Sequence, residues 1–305
     1  MNPRSAETPP KTSVRTAFTE IIDYAGLFPP SQLAMSEAVT NFATYRNSNY
    51  NWMLGRFVLP VARLDEFYDF AEEFAPKGSE MPWRLSVLAG EDIYETIKAV
   101  KNFNLMRGPG FVCDALEVKA NTVSKIENTV SYLPEDIEAY FEVARNNLLG
   151  DLVSALAFKK QRAKIRTGGV RGEDFPSSKE IIRFVRTCLA ANVPFKATAG
   201  LHHPLHCFKP LTYAKDAPKG TMHGFMNVLL MTAFAGESYR VGLLEEIMEE
   251  EFEEVFAFEE GGVRWRDGYF ISNSHLELVR ERGMISFGSC SFDEPVEDLQ
   301  ALGLL

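Results

Sequence analysis

The sequence is short of the features that announce several common functional classes. Its four cysteines, Cys113, Cys188, Cys207 and Cys290, are widely spaced with no CxxC pair. That argues against a disulfide framework and for reduced thiols in a cytoplasmic compartment. Basic residues are outnumbered, 32 Lys and Arg against 42 Asp and Glu, and no basic run offsets the formal charge of −10. A nucleic-acid partner gripped through its phosphates is therefore not expected. The longest apolar run, roughly 225–235, is too short and too interrupted to span a bilayer, so no membrane partner is expected. The opening MNPRSAETPPKT has no apolar segment of the signal-peptide kind, and residues 1–15 read as a disordered tail. No GxGxxG or P-loop follows any strand-like run, and no internal repeat or low-complexity tract is evident.

What is present is alternation. Eight short β-rich runs recur: IIDYAGLF (21–28), GRFVLP (55–60), WRLSVLA (83–89), DALEVKA (114–120), IEAYFEV (137–143), AKIRTGG (163–169), FKATAG (195–200) and ISFGSCS (285–291). Most are followed by a segment of helical period, at 31–46, 63–74, 91–103, 148–160, 177–191 and 293–302. The helix at 177–191 opens on Ser177 and Glu180, a capping-box spacing. Strand–helix alternation implies parallel strands with right-handed crossovers, and eight strands are the count of a (β/α)₈ barrel, an α/β TIM barrel. An open doubly wound sheet competes, without its usual nucleotide fingerprint. Residues 16–305 are thus expected to form one barrel domain, with 208–284 containing a helical and hairpin insertion between strands 7 and 8. Within that insertion, VFAFEEGGVRWRDGYF (255–270) reads as a hairpin, an acidic helix is expected at 242–254 and a further helix at 221–235. The hairpin's aromatics can cover the barrel mouth or pack a subunit interface, and a homo-oligomer is expected.

Two strand candidates carry a lysine in an apolar setting. On a strand, residues two apart share a face, so Lys164, Arg166 and Gly168 look one way, as do Lys196, Thr198 and Gly200. With Ile165, Phe195 and Ala197 on the helix-covered outside, both lysines enter the barrel near the end where barrel enzymes keep their sites. The same parity turns Glu117, Lys119, Tyr140 and Glu142 inward. An unpaired buried ammonium is costly, so this cluster is either an ion-paired plug or a chemical device. A second cation about 5 Å from an amine, at an effective dielectric near 20, costs roughly 3 kcal/mol, or about two pK units. Burial acts in the same direction. Lys164 held near neutrality by Lys196 would suit Schiff-base chemistry on a small carbonyl substrate, without a cofactor, with Glu117 or Glu142 moving protons.

In their order along the chain these motifs resemble the deoxyribose-phosphate aldolase branch of the class I aldolases, which are Schiff-base (β/α)₈ barrels. IIDYAGLFPP resembles the family's first strand, RFVLPVARL its second and EAYFEV its fifth. AKIRTGG resembles the sixth strand, which implies Lys164 as the Schiff-base amine. FKATAG resembles the seventh, which implies Lys196 as the lysine that lowers its pKa. ISFGSCS resembles the eighth, whose small-residue loop implies Gly288, Ser289 and Ser291 as phosphate contacts. Glu117 is the nearest match to the family's proton-handling aspartate. Arg166 stands where the family has a small hydroxyl residue and adds a cation beside the nucleophile, a further candidate for the catalytic group. Leu201 stands where the family has a second glycine approaching phosphate, which argues against a phosphorylated sugar.

A histidine-rich stretch follows the seventh strand. His202 and His203 read as substrate-binding or proton-transfer groups on the rim, or as packed structural residues. With His223 they are also the candidate set for zinc or iron, the basis of an alternative reading as a metal-dependent barrel hydrolase or isomerase. Adjacent histidines diverge on extended chain, and no HExxH accompanies them. Asp23 is either an inward polar residue of the first strand, placed to bind substrate, or a helix cap. The remaining alternative is a non-catalytic barrel with a binding or assembly role, favoured if Lys164 lies in a closed, fully paired interior.

Overall fold

The computed structural model describes residues 9–237 and 239–305. The first seven strands run in chain order: β1 (Ile22–Tyr24), β2 (Leu54–Pro60), β3 (Trp83–Leu88), β4 (Phe111–Ala120), β5 (Glu138–Val143), β6 (Arg162–Arg166) and β7 (Phe195–Thr198). Between β7 and the last strand lie a hairpin, β8 (Cys207–Pro210) with β9 (Lys219–Met222), and an antiparallel sheet of β10 (Phe256–Glu259), β11 (Gly262–Trp265) and β12 (Tyr269–Ser272). The last strand is β13 (Met284–Ser289). Strands β1 to β7 and β13 close into an eight-stranded barrel in which β13 sits between β7 and β1, and every neighbouring pair is parallel. The (β/α)₈ expectation therefore holds.

The helices are α1 (Thr12–Phe18), α2 (Met35–Arg46), α3 (Leu64–Ala71), α4 (Ile93–Arg107), α5 (Val123–Tyr132), α6 (Leu149–Phe158), α7 (Ser178–Ala190), α8 (Phe225–Gly236), α9 (Val241–Met248), α10 (Asn273–Arg282) and α11 (Asp293–Ala301). The start of α7 carries the expected capping box, with Ser177 and Glu180 bonding each other's backbone N–H. The core is the layer between strands and helices. There the outward-facing Phe57, Trp83 and Phe111 interlock with Phe42 of α2 and Phe67 of α3. Helix α8 is buried from Phe225 to Ala235, and its two polar side chains are bonded inside, Asn227 to the Ile247 and Glu250 carbonyls and Thr232 to the Val228 carbonyl.

Three expectations about segments are corrected. Residues 12–15 are not tail but the first turn of α1, whose Ser13 and Val14 are buried, while residues 1–8 lie outside the described residues. The helix expected at 221–235 begins only at Phe225, because Lys219–Met222 pairs with Cys207–Pro210 as β9. The acidic helix stops at Met248, and the following glutamates are non-helical up to a short turn at Glu253–Val255. The 255–270 hairpin gains a third strand, and its Phe258 packs 5.6 Å from Phe18 of α1. None of its residues lines the cavity at the barrel mouth described below. Among the described residues no helix is long and apolar enough to cross a membrane.

Candidate active site

The inward faces of the strands carry charge in layers. Toward the amino ends of the strands, Arg56, Arg84 and Arg162 are cross-linked through Asp114 and Glu138, with N···O distances of 2.6–3.1 Å. Asp114 is the extra residue where the β3–β4 register shifts, and its carboxylate bridges Arg56 and Arg84. The middle layer holds the residues singled out above. Lys164 and Lys196 are Cα partners across β6 and β7, and Glu142 and Lys164 are partners across β5 and β6. Strand parity thus placed Lys164, Lys196, Glu117 and Glu142 in one interior cluster.

The geometry differs from a bare pair of cations. Glu117 lies between the lysines, taking Lys164 Nζ on Oε2 at 2.6 Å and Lys196 Nζ on Oε1 at 2.7 Å. Lys164 also meets Glu142 at 2.9 Å, and Lys196 meets Asp23 at 2.5 Å. Ser86 and Ser286 donate to Glu117 and Asp23 respectively, so both carboxylates are fully engaged. Burial alone pulls each lysine's pKa down, but the adjacent carboxylates outweigh it, and both amines end above the ordinary lysine value. Burial pushes Glu117 up, and the two ammonium groups bring it well below the usual carboxylate range; Asp23 is lowered likewise by Lys196 and Arg56. The expectation that Lys196 holds Lys164 near neutrality is therefore corrected. Three carboxylates face two amines, and in this arrangement both amines are charged.

Above this cluster opens a cavity of about 840 Å³ at the carboxyl ends of the strands. Lys164, Glu117 and Glu142 line it; Lys196 and Asp23 do not, being sealed beneath. Arg166, two residues beyond Lys164 on the same face, is solvent-exposed and lines the rim. The glycines after β6 and β7 let these two loops pack closely against each other and against Phe175. Gly200 has φ +77°, and a Cβ there would come within 2.8 Å of the Gly168 Cα and 2.7 Å of the Phe175 ring.

The expected substrate contacts divide. Gly288 and His202 line the cavity; Ser289, Ser291 and His203 do not. Ser291 Oγ caps α11 by accepting from Glu294 N–H at 3.1 Å, and Ser289 is buried with its backbone carbonyl accepting from Ala25 at 2.6 Å. His203 is held by Asp298 at 2.6 Å. His202 turns toward Cys290, its Nδ1 3.8 Å from Sγ and 3.4 Å from Glu294. His223 faces elsewhere, bonded through Nε2 to the Pro176 carbonyl at 2.7 Å. The three histidines are not brought to one point, and among the described residues no three His, Cys, Asp or Glu are grouped to hold a metal ion.

Sequence reasoning missed Cys290 and Lys125, both of which line the cavity. Cys290 follows β13 where parity no longer applies, and Lys125 sits in the first turn of α5, outside any strand pattern. No protein-family model matches the chain, and no curated protein is a significant match.

Proposed function

We propose that this barrel is an enzyme of the class I aldolase kind, acting on a small aldehyde or ketone through a Schiff base at Lys164. The observation that carries the reading is the asymmetry of the two lysines. Lys164 opens on the cavity with two carboxylates in hydrogen-bond contact, whereas Lys196 is sealed below it. A closed, fully paired interior would suit a binding barrel, but this one is paired and open. The motif order shared with deoxyribose-phosphate aldolases supports the same residue.

Because Lys164 starts charged, the chemistry begins with a proton transfer. The ammonium passes a proton to Glu142, 2.9 Å away, and the free amine adds to the carbonyl carbon. A C–N bond forms as the C–O π pair moves to oxygen, which takes the proton from Glu142. Glu142 then takes a proton from the positively charged adduct nitrogen and returns it to the hydroxyl, which leaves as water and gives a cationic imine. The imine then draws the electron pair of its Cα–Cβ bond into an enamine, while the β-hydroxyl gives its proton to Glu142 and its carbon leaves as an aldehyde. Glu142 returns that proton to the enamine carbon, and water hydrolyses the imine to the second carbonyl product and the Lys164 ammonium. Lys196 stays a fixed cation that keeps Glu117 ionised.

The test is borohydride reduction during incubation with a panel of small aldehydes and ketones, read by intact mass and peptide mapping. A stable adduct on Lys164 that vanishes in Lys164→Met is expected. An adduct confined to other lysines, or none across the panel, sinks the proposal.

A further inference from the structure

The cavity is electrically polarised. At its floor the middle-layer ion pairs, with Asp23 beneath them, sum to one net negative charge, three carboxylates against two amines. The rim is the reverse. Lys119 at the end of β4, Lys125 in the first turn of α5 and Arg166 at the end of β6 all line the cavity. Among the described residues none of these three side chains has a carboxylate within 4.0 Å. Elsewhere inside the barrel the rule is different: Arg56, Arg84, Arg162, Lys164 and Lys196 each have at least one carboxylate partner. The carboxylates nearby do not compensate the rim. Glu142, the Cα partner of Lys119, is engaged by Lys164, and Asp174 is engaged by Arg171. Among the described residues, Glu91 alone of the cavity-lining carboxylates lacks a cationic partner, against three such cations.

We propose that Lys119, Lys125 and Arg166 form the subsite for an anionic group on the substrate, a carboxylate or phosphoryl remote from the reacting carbonyl. The proposal rests on the reading of Lys164 as the carbonyl site. It places the anion on the β4–β6 side, away from the Gly288 loop. Arg166 lies two residues above Lys164, so the two groups are separated by about 7 Å along the strand. A carbonyl compound with its charge a few bonds away spans that interval. The negative floor repels the anionic end and the rim attracts it, so one orientation is selected. The guanidinium fork and the two ammonium groups suit a planar carboxylate or a phosphoryl equally.

The experiment uses ligands without a carbonyl that lysine can attack. Succinate and inorganic phosphate, with neutral succinamide as control, are titrated calorimetrically at low ionic strength. Saturable binding of at least one anion is expected, with none for succinamide, and the stronger of the two distinguishes carboxylate from phosphoryl. Lys119→Gln combined with Arg166→Gln should weaken it at least tenfold. In the unmodified protein, the bound anion should slow acylation of Lys119 and Lys125 by an N-hydroxysuccinimide ester, read by peptide mass. If neither anion saturates, or the double variant binds as the parent does, or no protection develops, the inference is overturned. Anion binding that persists while no carbonyl is trapped on Lys164 overturns the catalytic reading alone. Equal trapping of neutral and anionic aldehydes without anion binding overturns the rim alone.

Discussion

Lys164 and Lys196 face each other across adjacent strands, yet their ammonium groups are bound to opposite oxygens of one carboxylate, that of Glu117. The arrangement converts what would be a repulsive pair into a chain of alternating charge, Glu142–Lys164–Glu117–Lys196–Asp23. Its cost is desolvation of several ions, and its consequences are measurable.

Removing the sealed end of that chain should be the more damaging. Lys196→Met takes the ammonium partner from Asp23 and from one oxygen of Glu117, both buried, and breaking such a buried pair costs about 3–5 kcal/mol. Lys164→Met leaves Glu117 held by Lys196, and Glu142 beside the cavity. Urea unfolding should therefore place Lys164→Met clearly closer to the parent protein. Equal losses would contradict the assignment of Lys196 as the structural member.

Glu117→Gln should lower the pKa of Lys164, because one of its two anionic partners disappears while the Lys196 cation remains. The pH dependence of cyanoborohydride trapping at Lys164 reads this directly. The profile should move toward lower pH, and stability should fall by a few kcal/mol. A shift toward higher pH would show that Glu117 is not the group holding the amine charged.

Stability should form a plateau bounded at both extremes of pH. Glu117 and Asp23 have folded pKa values below their ordinary ones. Their contribution is present above about pH 4 and is lost as pH falls through the folded values. Lys164 and Lys196 are raised. Their contribution is full below about pH 10.4 and is lost only as pH rises through the folded values. Free energies of unfolding measured across pH should show both limbs, and Glu117→Gln should make the acid limb shallower.

Cys290 should be the reactive thiol. Burial raises it, but His202, Ser31 and Tyr213 beside it lower it further, to a net value below the ordinary thiol. Burial lowers His202, and the contacts from Cys290 and Glu294 bring it up to about 9, so the ring carries a proton at neutral pH. Cys113 and Cys188 are raised by burial. Iodoacetamide at pH 7 should alkylate Cys290 ahead of both, with His202→Asn slowing it several-fold. Preferential labelling of Cys113 or Cys188 would contradict this.

Gly200→Ala should destabilise the entrance. Its positive φ and the 2.8 Å approach to Gly168 leave no room for a Cβ, a combination worth about 1–3 kcal/mol. Thermal unfolding checks it, and an unchanged midpoint would show that the two loops move apart freely.

Much of this molecule is readable locally. The period-2 pattern puts Ile165, Phe195 and Ala197 on one side and Lys164, Lys196, Glu117 and Glu142 on the other. Nothing beyond one strand is needed for that. Local pattern failed where partners are distant in the chain. The first turn of α1 looks like polar tail until α1 is seen against α10 and β10, about 250 residues away, with Lys11 bonded to the Phe258 carbonyl. Ser289 and Ser291, read locally as ligand contacts, fall outside the cavity lining, and Ser291 Oγ accepts from the Glu294 N–H of α11.

What the chain alone determined was the barrel and the inward direction of its charges, since both follow from strand–helix alternation and from backbone geometry that repeats every two residues. Tertiary structure alone decided the protonation of the site. A lysine's charge depends on which groups surround its nitrogen, and here those groups come from β1, β4, β5, β6 and β7, brought together only when the barrel closes.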